Sequence, residues 1–138
     1  MGDTLSSHKN KAWQAFSKWV RTRDCLRTTM SADEGTCCTC GKRYPFKNLQ
    51  AGHFIDGRHG AVLFSERGVH AQCYGCNVGL HGNKLKYWLF MEKQYGRDII
   101  NQLMAESKQE VIYKKHDYDD IAEKYKQKTQ ELLAMGVV

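Results

Sequence analysis

Two Cys-x-x-Cys pairs, CCTC at 37–40 and CYGC at 73–76, limit the possible folds of this chain more than any other feature. The two-residue gap lets both thiolates of a pair point at one ion, and Gly41 permits the tight turn that follows the first pair. Cys37, Cys40, Cys73 and Cys76 would complete a tetrahedron around Zn2+ and leave no position open, so the expected zinc is structural. Cys38 in place of Cys37 would reach less well, and Cys25 and Cys38 are read as bystanders. Metal binding at such a site is folding free energy, about 10 kcal/mol for structural zinc peptides. The clamped region is therefore expected to be held by sulfur more than by apolar burial. Simple zinc modules manage with a shorter loop; here residues 41–72 lie between the pairs, which points to a working site inside the clamp.

The rest of the chain is compatible with one small α+β domain. No N-terminal apolar run resembles a signal peptide, and the longest apolar patch, YWLFM at 87–91, is too short to span a bilayer. A soluble intracellular protein without a membrane partner is expected. Thiols stay reduced in that compartment, so six Cys argue for metal rather than disulfides. The net charge is +6, and its excess lies with the Cys pairs: residues 1–96 hold 14 Lys+Arg against 7 Asp+Glu, and residues 97–138 hold 7 against 8. A polyphosphate is the natural partner for such a surface, because neutralising its charges releases counterions.

Residues 1–8 read as a disordered lead. From Lys9 to Arg23, Ala12, Trp13, Phe16, Trp19 and Val20 recur at helical spacing, flanked by Lys11, Lys18, Arg21 and Arg23. Residues 28–36 read as a loop. Short strands are expected near 49–55, 61–64 and 69–72. Leu85, Trp88, Leu89 and Tyr95 mark a helix ended by Gly96, and a second runs from about Arg97 to Ser107 with Ile99, Ile100 and Leu103 inward. A last helix begins near Asp117 or Asp119, either able to cap it, with Ile121, Tyr125, Leu132 and Leu133 as its stripe. Residues 9–108 then form the zinc-stabilised domain, and 109–138 a helical extension packed on it.

Inside the clamp lie His53, Asp56, Arg58, His59, Arg67 and His70; Asn77, His81 and Asn83 follow the last Cys. A strand His facing an Asn at the start of a helix is the arrangement of a ββα-metal (HNH) nuclease site. There the His takes a proton from water, and the helix residue holds a divalent ion on the scissile phosphate. His81, four residues past Asn77, would share its face if the helix continued, as a second ligand or a phosphate contact. Tyr74 is read as a shield over the zinc, and Trp13, Trp19 and Trp88 as core.

The segments KAWQAFSKWVRTRDCL, CCTCGKRYPF, LQAGHF, ERGVHAQCYGCNVGLHGN and YGRDIINQL resemble the phage NinG (Rap) recombination nucleases over about residues 9–135. The layout also resembles the endonuclease VII type of junction resolvase. The resemblance implies a zinc-stapled HNH-like core flanked by an N-terminal helix and C-terminal helices. It implies a metal-dependent endonuclease cutting branched recombination intermediates (Holliday junctions, D-loops) in the cytoplasm of a bacterial host, encoded by a phage or prophage. His53 matches the general base, Asn77 the ligand of a catalytic Mg2+ or Mn2+, and the four Cys the structural zinc tetrad. His81 and Asp56 are the other candidate ligands of that ion. Arg58, Arg67, Lys84, Lys86, Lys18 and Arg21 are the candidate DNA contacts, and a homodimer would explain junction cutting. The alternative is a zinc-stapled DNA-binding or recombination adaptor without catalysis.

Two positions depart from the HNH pattern. Gly52 stands where many such sites carry a metal-binding Asp, and Gly68 where an Asn would tie down the loop of the base. His70 is the candidate to take over part of the latter task, or simply to fill a strand.

Overall fold

The computed structural model of the chain describes residues 3–56 and 60–135; Arg58 and His59 lie outside the described residues. Helix α1 spans Leu5–Thr29, so it begins within the lead read as disordered and runs into the loop expected at 28–36. Thr4 explains the early start: its side chain accepts from the Ser7 amide at 3.0 Å, and Ser7 reaches back in a capping box. The helix stops at Met30, which is left-handed at φ 61°.

Four short strands follow. β1 (Glu34–Thr36) pairs antiparallel with β2 (Arg43–Pro45), and this small hairpin had no clear signal in the sequence. β3 (Leu49–His53) pairs antiparallel with β4 (Val69–Cys73), with Ala51 opposite Ala71. The strand expected at 61–64 is instead a 3-10 turn, Gly60–Val62, within the loop joining β3 to β4. β4 is buried along its whole length, because α1 covers one face and the next helices the other. After β4 a π-helical turn, Gly75–Gly79, leads to α2 (Lys84–Gln94) and α3 (Arg97–Glu106), with Gly96 supplying the φ of 92° between them.

Helix α4 spans Lys115–Met135 and packs along α1. Neither Asp117 nor Asp119 is its cap; Asp117 sits in the first turn and accepts from the Lys114 amide at 2.8 Å. Its buried stripe is Tyr118, Ala122, Tyr125 and Thr129, and Leu133 is exposed. Leu85 and Leu89 of α2 are also exposed; Tyr87 and Met91 are the buried pair, a rotation of the expected face.

Apolar burial does more here than the sulfur-dominated expectation allowed. One cluster joins Phe16, Trp19 and Val20 of α1 to Tyr118 and Tyr125 of α4 and to Val69. A second joins Phe54, Tyr87, Met91, Ile100 and Leu103. The two clusters sandwich the β3–β4 hairpin. Arg23, read as part of a basic flank, is buried at 2% exposure and staples α1 to β4. Its guanidinium donates to Asp24 (2.8 Å) and to the carbonyls of Glu66 (2.6 Å) and Val69 (2.7 Å), while Asp24 accepts from the Ala71 amide (2.8 Å). Every charge taken out of water is thus met by a partner, which is the condition for burying it. Burial opposes ionisation of Glu66, yet the Lys128 ammonium and the Tyr125 hydroxyl hold its carboxyl below the usual range, tying α4 to the β3–β4 loop. No helix among the described residues is long and apolar enough to cross a membrane.

Candidate functional site

The sulfur atoms of Cys37, Cys40, Cys73 and Cys76 all lie within 4.8 Å of one another. Four thiolates at zinc–sulfur bond length form a tetrahedron with edges of about 3.8 Å. The Cys40–Cys73 separation is 3.9 Å, so the donor set and its size can hold a zinc ion. The knuckle around Cys37 is closed by Gly41, whose φ is 76° and whose amide donates to Cys37 at 3.0 Å. It is bolted to the hairpin through the Cys38 amide, which donates to Ala71 at 3.0 Å. The sulfurs are themselves oriented. The Cys76 amide lies 3.4 Å from Cys73 Sγ, Asn83 Nδ2 3.5 Å from Cys76 Sγ, and the Thr39 hydroxyl 3.3 Å from Cys37 Sγ. Cys25 and Cys38 lie outside the cluster, and burial raises the Cys25 thiol to about 11. The aromatic cover over the sulfurs is Tyr44, which packs on the buried cysteines. Tyr74, read as the shield, is 62% exposed.

Beside the four-cysteine cluster opens a cleft of about 670 Å³. His53 and Asn77 both line it, together with His81, Asp56, Lys84 and Arg21. The hairpin and the turn after Cys76 converge here because Cys73 ends β4 and Cys76 begins the turn that carries Asn77. Clamping the two cysteines therefore fixes the path of the chain from strand to turn.

His53 is half-buried, and its Nε2 lies 3.1 Å from the Leu63 carbonyl. Only an N–H can donate to a carbonyl oxygen, so that bond puts a proton on Nε2. Trp13 of α1 stacks on the imidazole, with centroids 5.1 Å apart and planes at 15°. Trp13 had been read as core alone. No pattern in the sequence marks its second face, because α1 meets the hairpin only in the tertiary fold.

The two departures from the HNH pattern have physical explanations. Gly68 caps the β3–β4 loop through its backbone: its amide donates to Ser65 Oγ (3.1 Å) and its carbonyl accepts from the Phe54 amide (2.8 Å). The loop that carries the Leu63 carbonyl is thus closed without an Asn side chain. His70 takes no part in this. It is 2% exposed, bonds to the hydroxyls of Tyr95 (2.7 Å) and Tyr87 (3.4 Å), and burial lowers its pKa to about 3, so it is a neutral core residue. Gly52 is required by close packing. A Cβ there would stand 1.9 Å from Gln72 Oε1 and 2.9 Å from Asn77 Oδ1. Gly52→Ala is expected to destabilise the fold by about 2–3 kcal/mol, as overpacking in an interior does; urea unfolding followed by circular dichroism measures it, and a loss below about 0.5 kcal/mol would refute the close contact.

Other predicted residues fall differently. His81 does not continue a helix from Asn77; it sits in the turn before α2 at φ 51°, exposed, on the cleft wall. Lys84 lines the cleft with its side chain partly exposed; its ammonium donates to the carbonyls of His53 (2.6 Å) and Phe54 (2.9 Å) and pairs with Asp56 at 2.9 Å. It fixes the end of β3. Asp56 is exposed and lines the cleft, paired with Lys84. Arg21 lines the cleft, donates to the Ser17 carbonyl at 3.1 Å and lies over the Phe46 ring. Lys18 and Lys86 are exposed, and Arg67 is exposed beside Gln102 on α3. Neither Lys18, Lys86 nor Arg67 lines the cleft.

No curated protein and no solved structure matches the chain. A family model, described as Bacteriophage Lambda NinG protein, matches residues 3–134. That span takes in the capped helix α1, the four-cysteine cluster, the cleft and nearly all of α4, and the chain belongs to the NinG family.

Proposed function

We propose that this protein is a metal-dependent DNA endonuclease that hydrolyses phosphodiesters in branched recombination intermediates. The observation that carries the reading is the meeting of His53 and Asn77 in one cleft, with His53 Nε2 bonded to the Leu63 carbonyl. A strand pair followed by a helical segment, with a His at the end of the first strand, is the layout of an HNH site, and the zinc tetrad staples it. The family match supports a role in phage recombination.

In this reading His53 takes a proton from a water molecule as that water attacks phosphorus in line. Its Nε2–H keeps the Leu63 bond throughout, so the ring does not turn. Trp13 holds the ring plane, and Lys84 holds the carbonyl of His53. A divalent ion such as Mg2+ or Mn2+, held in the cleft, would supply positive charge to the scissile phosphate. Asn77 would hold it through Oδ1, an oxygen donor of the kind Mg2+ prefers, and His81 stands on the same wall. Asp56, exposed on the cleft wall and paired with Lys84, is the carboxylate nearest to hand as a further donor. Arg21, beside the cleft, meets the strand backbone electrostatically.

The test is cleavage of a four-way junction and of a linear duplex of the same sequence, with Mg2+, with Mn2+ and with chelator added after zinc loading. Metal-dependent cutting of the junction in preference to the duplex is the expected result. Tight junction binding with no cutting in either metal would replace the enzyme by the non-catalytic DNA-binding adaptor.

A further inference from the structure

The cleft has a neighbour across Gln50. That residue lines the cleft on one side and, on the other, a second hollow of about 440 Å³ walled by Tyr44, Lys47, Asn48, Tyr74 and Gly75. The side-chain amides of Gln50 and Asn77 meet at 2.8 Å, so the ridge between the two hollows is tied to a residue of the cleft.

The local fold sets what this hollow presents. Cys73 and Cys76 gather their sulfurs into the four-cysteine cluster, and the two residues between them, Tyr74 and Gly75, are left outside it and exposed. Tyr74 is 62% exposed and makes no hydrogen bond or ring contact among the described residues. Every other tyrosine of the chain is buried or half-buried. Tyr44, on the opposite wall, is occupied by its packing on the cysteines. Gly75 keeps the floor open, since an added Cβ would meet only Cys73 Sγ at 3.9 Å. Lys47 and Asn48 are exposed, Lys47 joins no ion pair among the described residues, and no Asp or Glu lines the hollow.

An open phenol ring, an unpaired ammonium and two carboxamides suit a flat, uncharged ring carried on a phosphate chain. The ring face stacks on any base, the amides offer donors and acceptors to a base edge, and the ammonium meets a neighbouring phosphate. A second copy of this chain would bring the same positive wall against itself. We propose that the hollow is a nucleobase subsite, in which Tyr74 stacks on one unpaired base of the strand whose phosphate lies in the cleft. This rests on the reading above that the cleft holds a DNA strand. Tyr74 and Asn77 stand three residues apart on one helical turn, a span of about 5–6 Å. Successive nucleotides of a duplex strand are about 3.4 Å apart, so the base belongs one or two nucleotides from the scissile phosphate. In a continuous duplex that base is paired and stacked and has to be extruded. At a flap, a D-loop edge or a junction crossing it is already unpaired or unstacked, so seating it costs less. The subsite thereby separates branched from linear DNA without reading sequence.

The experiment uses full-length zinc-loaded protein with 13C-labelled tyrosine rings and 15N-labelled amides, without added divalent ion. The probes are a short oligodeoxyadenylate and an abasic oligomer of the same length and phosphate number. The spectrum of Tyr74→Phe identifies the Tyr74 signals. The expected result is an upfield move of the Tyr74 ring protons, from the ring current of a stacked adenine, that the abasic oligomer does not produce. If amides of Asn77 and His81 in the cleft respond and Tyr74 does not, the subsite fails while the strand-holding cleft stands. If both oligomers move Tyr74 alike, phosphate alone is bound and the subsite also fails. If neither place responds, the inference fails, and junction cleavage decides the nuclease reading independently. A second arm compares binding to a Y-shaped DNA with unpaired arms and to a linear duplex by fluorescence anisotropy. Tyr74→Leu keeps an apolar side chain but loses the ring face, so its affinity for the Y-shaped DNA is expected to fall about tenfold with duplex binding unchanged. Tyr74→Phe should bind both like the parent, and zinc content and melting temperature are the controls. A folded, zinc-loaded Tyr74→Leu protein with undiminished affinity for the Y-shaped DNA, or with equal loss on both DNAs, would overturn the assignment.

Discussion

Cys73→Ser is expected to strip the zinc and leave the region around β1 to β4 without stable structure. Cys73 is buried at 5% exposure, and its sulfur also accepts from the Cys76 amide, so a hydroxyl loses both the metal bond and that contact. Structural zinc contributes about 10 kcal/mol in small metal-folded peptides, against a total stability of about 5–15 kcal/mol for a domain. One lost ligand is therefore enough to unfold the clamp. The two apolar clusters determine what survives. Cys73→Ser should retain part of its helical circular dichroism from α1 and α4, whose shared core of Phe16, Trp19 and Tyr125 contains no zinc ligand. Zinc stoichiometry by colorimetric release and a thermal melt measure the change. Cys38→Ala, outside the tetrad, is the matched control and should keep one zinc. A Cys73→Ser protein that retained one tightly bound zinc and the parent melting temperature would remove the tetrathiolate from the account.

His53→Ala is expected to lower the single-turnover rate of junction cutting by roughly 10²–10⁴-fold, the usual contribution of a positioned general base. Junction binding should change little, because Arg21 and Lys18 of α1 would still be there to attract the strand. The zinc tetrad is untouched, so zinc content should stay at the parental level. Loss of the stacked pair with Trp13 should cost about 1 kcal/mol of stability, which a melt can read separately from the rate. Undiminished cutting by a folded His53→Ala protein would take His53 out of the role assigned to it. Trp13→Leu offers a graded companion: it leaves Nε2 and Leu63 in place but frees the ring plane, so a partial rate loss without unfolding would separate orientation from proton transfer.

The local signals in the chain were of unequal worth. The cysteine spacing was legible because two thiolates three positions apart can reach one ion from almost any compact loop. The break at Gly96 was legible because a glycine most readily takes the positive φ, here 92°, that separates two helices. The strand expected at 61–64 was not a strand, since its apolar residues fill a 3-10 turn that caps the site rather than pairing with a neighbour. Leu85 and Leu89 were assigned to the buried face, yet Tyr87 and Met91 occupy it, because the twist of the hairpin sets which side of α2 meets the core. Arg23, expected on a solvated basic flank, is buried because Asp24 and two carbonyls meet its charge.

The sequence by itself determined the four-cysteine set Cys37, Cys40, Cys73 and Cys76 and the α+β composition, because each depends on residue type and short-range spacing, whereas the candidate pair His53 and Asn77 came from the family resemblance. Only the tertiary structure decided that Trp13 stacks on His53, that Lys84 braces β3, that His81 sits in a turn, and that Gln72 turns its oxygen over Gly52. These relations join residues from α1, β3, β4 and the turn before α2. No local pattern records them, since they exist only once packing and the sulfur cluster have fixed where those elements cross.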